Sequence, residues 1–114
     1  MNEEVKLLYI QLITTCLYLF VFIFFIFLTY NNILKKTHQT PLLGDDEANL
    51  LFLLINIIAF ILILLYFYVN YKFYQLDNTL SNKLQFFVSI LSVIGSLIVI
   101  FSIVINNNNL NTKI

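Results

Sequence analysis

Few residues in this 114-residue chain carry reactive groups, and their spacing limits what they can do. Asp45, Asp46 and Glu47 stand in a row after Gly44, and adjacent carboxylates are one way to hold a cation. The same three residues suit the start of a helix, with Asp45 as N-cap and the next two acids against the positive end of the dipole. That second use needs no ligand, and it is the expectation. His38 lies in the same connection without a second His or Cys nearby, so it reads as a solvated side chain rather than a metal ligand or base. Cys16 is the single cysteine and sits among Thr14, Thr15 and Leu17. It has no basic neighbour to activate it and no partner for an intramolecular disulfide. No nucleophile–base pair, phosphate loop or cofactor fingerprint is present.

The remaining polar groups are amides and hydroxyls set in apolar stretches. Asn49, Asn56 and Asn70 fall on a seven-residue register and share one helix face. Two uses are open to Asn56: ordering water in a proton path, or bonding a neighbouring helix. The second suits an amide better, because Asn has no proton to release. Further along, Gln85, Ser89, Ser92 and Ser96 fall within a narrow arc at about 100° per residue, with Gly95 on its flank. Ser92 and Ser96 form a small-xxx-small pair that lets another backbone come close. Ser89, Ser92, Gly95 and Ser96 are therefore the expected helix-packing face, and Asn56 and Gln85 the expected intramembrane polar contacts.

The elements carrying these residues are set by where charge is missing. Hydrophobic residues make up 61% of the chain and charged ones 11%, against roughly 45–50% and 25% in soluble domains. Six Lys offset six acids, and there is no Arg, which excludes a basic nucleic-acid binder. Charge is absent from Leu7 to Leu34, from Ala48 to Tyr71 and from Leu84 to Thr112. A hydrocarbon core about 30 Å thick needs about 20 helical residues, and a lone spanning segment must satisfy its own backbone hydrogen bonds. The stretches are apolar on every side, which excludes alternating barrel strands. The expected fold is all-α: one integral membrane domain with three transmembrane helices at 7–32, 47–72 and 84–106. Loops then occupy 33–46 and 73–83, and a polar tail 107–114.

The opening Met-Asn-Glu-Glu-Val-Lys matches neither a secretory signal nor an Arg-rich presequence, so the first helix is expected to stay as an anchor. Tyr66, Tyr68, Tyr71 and Tyr74 suit a membrane interface. Lysines near the helix ends balance across the membrane, but Lys35 and Lys36 adjoin the first span. They favour the first loop and the C-terminus on the cytoplasmic or matrix side. No ionisable residue lies inside a span, which disfavours a self-sufficient transporter or proton relay.

Asn49-Leu50-Leu51-Phe52-Leu53-Leu54-Ile55 resembles the opening of the second helix of NADH dehydrogenase subunit 4L, the smallest core membrane subunit of respiratory complex I. Ser92-Val93-Ile94-Gly95 is similar to that family's third-helix stretch, and Asn109-Leu110-Asn111 to its tail. The resemblance implies a three-helix membrane-arm subunit with its first loop and C-terminus facing the matrix. Members carry buried glutamates in the second and third helices for proton translocation. Aligned on these motifs, those positions hold Ile58 and Leu91, and the long first loop also departs from the pattern.

The functional expectation is thus a membrane-arm subunit of a proton-pumping NADH:ubiquinone oxidoreductase, with no active site on this chain. It contributes helix packing and some part of a proton path through its companions. It is expected to bind no NADH, flavin, iron–sulfur cluster or other cofactor, and no metal. Its partners are other membrane subunits and the lipid bilayer. The location implied is the mitochondrial inner membrane, and the richness in Phe, Ile, Asn, Tyr and Lys fits an AT-rich organellar genome. Two rivals are a structural accessory subunit of another respiratory or ATP synthase complex, and a free-standing protein of holin or bacteriocin-immunity type, bacterial or viral. The last would place it in a bacterial cytoplasmic membrane.

Overall fold

The computed structural model describes residues 2–112, with side chains through Asn106. They form three helices: α1 (Glu3–Lys36), α2 (Asp45–Leu76) and α3 (Leu80–Thr112). At 1.5 Å per residue these run to about 51, 48 and 50 Å, well beyond the hydrocarbon thickness of about 30 Å. All three are long and apolar enough to cross a membrane. The protein is all-helical, with three transmembrane helices.

The helices extend further than the charge gaps alone suggest. Asn2 caps α1 by accepting from the Glu4 amide at 3.0 Å, and Glu3 and Glu4 at one end face Lys35 and Lys36 at the other. This arrangement complements the dipole at both termini, so the lysines assigned to the loop belong to the helix. α1 stops where His38 takes a left-handed conformation, φ 61°. The His38 amide then donates to Lys35 O at 3.3 Å and the Gln39 amide to Leu34 O at 2.9 Å. That double bond pattern is a Schellman stop with His where glycine is usual.

The loop at 33–46 therefore shortens to 37–44. Asp45 is not the N-cap expected of it. Gly44 caps α2 without a side chain, and Asp45 is the first helical residue. Its carboxylate instead reaches back to Lys35 Nζ at 2.5 Å, closing the loop while remaining in the first turn, where an acid still opposes the dipole. The second connection shrinks from 73–83 to 77–79. Thr79 Oγ1 accepts from the Asn82 amide at 3.2 Å, and Asn82 Nδ2 donates to Asp77 O at 2.9 Å, tying the start of α3 to the end of α2. The tail at 107–114 is helix as far as Thr112, since no Pro or Gly interrupts an established helix. Its last two residues lie outside the described ones.

α2 is central, with α1 and α3 on either side of it. Leu7, Thr14, Val21 and Leu28 are buried on α1, and Ile55, Leu62 and Val69 on α2. The two sets share a seven-residue spacing, the repeat that holds one seam against a partner in left-handed helix pairs. Val21, Leu28, Ile55, Ala59 and Leu62 form the core of this seam. The α2–α3 pair is held differently. Phe86 of α3 lies between Phe67, Tyr71 and Tyr74 of α2, with ring centroids 5.4, 5.5 and 5.8 Å away. Among the described residues, α1 and α3 bring no Cα atoms within 8 Å of each other. A groove floored by α2 separates them.

Candidate functional site

The groove is where the polar groups collect. At the end holding the start of α1 and the α2–α3 connection lies a cavity of about 690 Å³, lined by Glu4, Gln11, Asp77, Thr79, Ser81, Asn82 and Gln85 together with Leu8, Phe73 and Leu76. A second cavity of about 390 Å³ shares Gln11 and Gln85 with the first. It runs further between the helices along Ile63, Tyr66, Asn70, Leu84, Val88, Ser89 and Ser92. The outer lobe is mostly polar and the inner mostly apolar. A smaller cavity of about 210 Å³ lies towards the other end, with Asn32, Asn49 and Asn106 among its lining.

Two hydrogen bonds brace the groove from below. Thr15 Oγ1 and Tyr66 Oη lie 2.5 Å apart, joining α1 to α2. Asn70 Nδ2 donates to Ser89 Oγ, joining α2 to α3, while Ser89 Oγ donates to Gln85 O one turn back at 3.0 Å. In lipid such bonds contribute about 0.6–2 kcal/mol each, held down because the separated helices also find partners. A third polar contact anchors the first loop. Asn31, 2% exposed, accepts the Leu43 amide at 2.9 Å. None of these pairings had been singled out from the sequence, although Asn70 and Ser89 were each on a marked face.

The residues marked in advance divide between these settings. Ser89 is buried and committed to Asn70. Ser92 lines the inner cavity, and its hydroxyl donates to Val88 O at 3.0 Å. Gly95 is exposed, and a Cβ built there meets nothing within 4 Å, so no helix of this chain uses it for close approach. Ser96 is half-buried. The arc is therefore buried within the chain at Ser89, half-buried at Ser96, and open at Ser92 and Gly95.

Asn56 is buried, but Nδ2 donates to Phe52 O at 2.8 Å in its own helix. Gln85 donates to Ser81 Oγ at 3.3 Å, also within its helix, and lines both lobes of the groove. Ile58 and Leu91 are 50% and 53% exposed, on the outer surface rather than in the groove. Cys16 is an exposed free thiol and His38 an exposed loop residue. Among the described residues no cluster of His, Cys, Asp or Glu is arranged to hold a metal.

Among the described residues the polar groups are amides, hydroxyls and exposed carboxylates spread along the helices. What the arrangement offers is a two-lobed groove at one end, polar at its mouth and apolar within, and a separate smaller cavity towards the other. No family model, curated protein or solved structure matches this chain.

Proposed function

We propose that the chain is a packing subunit of a larger membrane assembly, contributing surface rather than catalysis. The observation that carries this reading is the open flank of α3 at Gly95. Gly95 has no neighbour within 4 Å of a Cβ position, and among the described residues Ser89 alone is buried on α3, against Leu7, Thr14, Val21, Leu28 and Asn31 on α1. Small residues at membrane depth gain van der Waals contact when another helix comes close, and this chain supplies none there.

The resemblance to NADH dehydrogenase subunit 4L directs the reading to the membrane arm of a proton-pumping NADH:ubiquinone oxidoreductase in the mitochondrial inner membrane. Within it, the first loop and C-terminus face the matrix. Ile58 and Leu91 are apolar and point outward, which supports a supporting role in which proton transfer belongs to companion subunits. Gly95→Leu places a bulky side chain on the proposed contact. The variant is expected to fold, having open space around it, and to fail to enter the assembly. Native gel electrophoresis with an in-gel NADH dehydrogenase stain reads this directly. A megadalton active band containing the wild-type chain and lacking the variant supports the proposal. A small oligomer in both cases would replace it with a free-standing membrane protein.

A further inference from the structure

The two-lobed groove differs in character along its length, and the charges around its mouth are unevenly placed. Glu4 and Asp77 both line the outer lobe. The three lysines at this end of the molecule do not. At about 100° per residue, Lys6 lies roughly opposite Glu4 and Gln11 around α1. Lys72 lies one turn before Leu76 on α2, but its ammonium is drawn to the Tyr68 ring, 5.8 Å away. Lys83 lies opposite Ser92 and Gln85 on α3. The mouth therefore presents two carboxylates and no lysine among its lining residues. Behind it, Gln11 and Gln85 span the junction between the lobes, and the inner lobe continues between Leu84, Val88 and Ile63 as a mainly apolar slot.

We infer that this groove binds one membrane phospholipid carrying an ammonium headgroup. The ammonium sits between Glu4 and Asp77, the amides of Gln11 and Gln85 donate to phosphate or ester oxygens, and one acyl chain fills the inner lobe as far as Ser92. The gradient from acidic and polar to apolar matches the order of groups along such a lipid. It also explains why α1 and α3 stand apart along this stretch without exposing an empty slot to hydrocarbon. A lipid with an anionic headgroup places its charge against the same two carboxylates, so it is the disfavoured alternative. The seat ends at Ser92, short of the Gly95 contact, so the inference is independent of the proposed assembly.

The full-length chain, purified in detergent and loaded with phosphatidylethanolamine or phosphatidylglycerol of identical acyl chains, allows a test by native mass spectrometry. Phosphatidylethanolamine is expected to be retained about fivefold more than phosphatidylglycerol, the ratio an exposed ion pair supports. Glu4→Gln with Asp77→Asn is expected to erase that preference. Val88→Phe, which fills the inner lobe, is expected to lose retention of both lipids. Leu91→Phe, pointing outward at similar depth, leaves retention intact. Equal retention of the two lipids by the wild type overturns the inference, as does a preference that survives in the double mouth variant. So does rapid labelling of Ser92→Cys, in a Cys16→Ser background in vesicles, by a membrane-impermeant thiol reagent, because the slot is then filled by water.

Discussion

At the scale of single residues, the most exacting contact is Asn31. Its side chain is buried at the membrane edge and accepts the Leu43 amide from a loop twelve residues away. Replacing Asn31 with Leu preserves bulk but leaves the half-buried Leu43 N–H without its acceptor, a loss of about 1 kcal/mol. Replacing its exposed neighbour, Asn32→Leu, is expected to cost much less. Thermal unfolding of both variants in the same detergent checks the contrast. His38 illustrates why such detail escapes the one-dimensional record. A helix stop is usually read from Gly or Asn, and here His occupies the left-handed position. Lys35 and Lys36 then look like loop residues until the stop is seen to fall behind them. Asp45 was misassigned for a related reason: the cap preference is real, but a specific partner, Lys35, competes for the carboxylate.

At the scale of elements, the α1–α2 seam depends on small size as much as on apolar character. Ala59 is 5% exposed and packed in the cluster of Val21, Leu28, Ile55 and Leu62 at the α1–α2 crossing. Ala59→Leu overfills that crossing and is expected to cost about 1–3 kcal/mol. Ile58→Leu, on the outer surface, is expected to be near neutral. Equilibrium unfolding in mixed micelles separates the two. The existence of three helices could be read from charge-free stretches because the bilayer sets a minimum length and tolerates few charges. Which face meets which neighbour could not. The Asn49, Asn56 and Asn70 register is visible in the sequence, yet Asn56 bonds its own helix while Asn70 bridges to α3. An apolar helix in lipid has no wet side to mark its outside, so periodicity loses the contrast that orients helices in soluble proteins. Ser89 stood on a marked arc, but its partner lies nineteen residues back and was set by how α2 and α3 dock.

At the scale of the whole molecule, the arrangement is a central helix with two flanking helices that never meet. No described α1–α3 pair approaches within 8 Å between Cα atoms, whereas a disulfide needs about 4.4–6.8 Å. In a Cys16→Ser background, Leu8→Cys combined with Leu84→Cys is therefore expected to resist oxidative cross-linking. Asn70→Cys combined with Ser89→Cys, whose native side chains touch, is expected to cross-link readily. Non-reducing gel mobility reports both. Efficient bridging of the first pair would mean that the groove closes in the membrane. Composition shows that the chain is at home in lipid, but the slot between α1 and α3 arises only from their joint packing on α2. It had no counterpart among the motifs.

The brevity of the α2–α3 connection bears on how the protein is made. Three residues, 77–79, separate two helices each about 50 Å long, so the ribosome releases them with almost no slack between them. The Thr79 and Asn82 bonds that staple the turn are local and form as soon as it emerges. α2 and α3 are thus suited to enter the bilayer together as a hairpin. α1 emerges first and is joined to α2 by the longer connection 37–44, which the Asn31–Leu43 and Lys35–Asp45 contacts close.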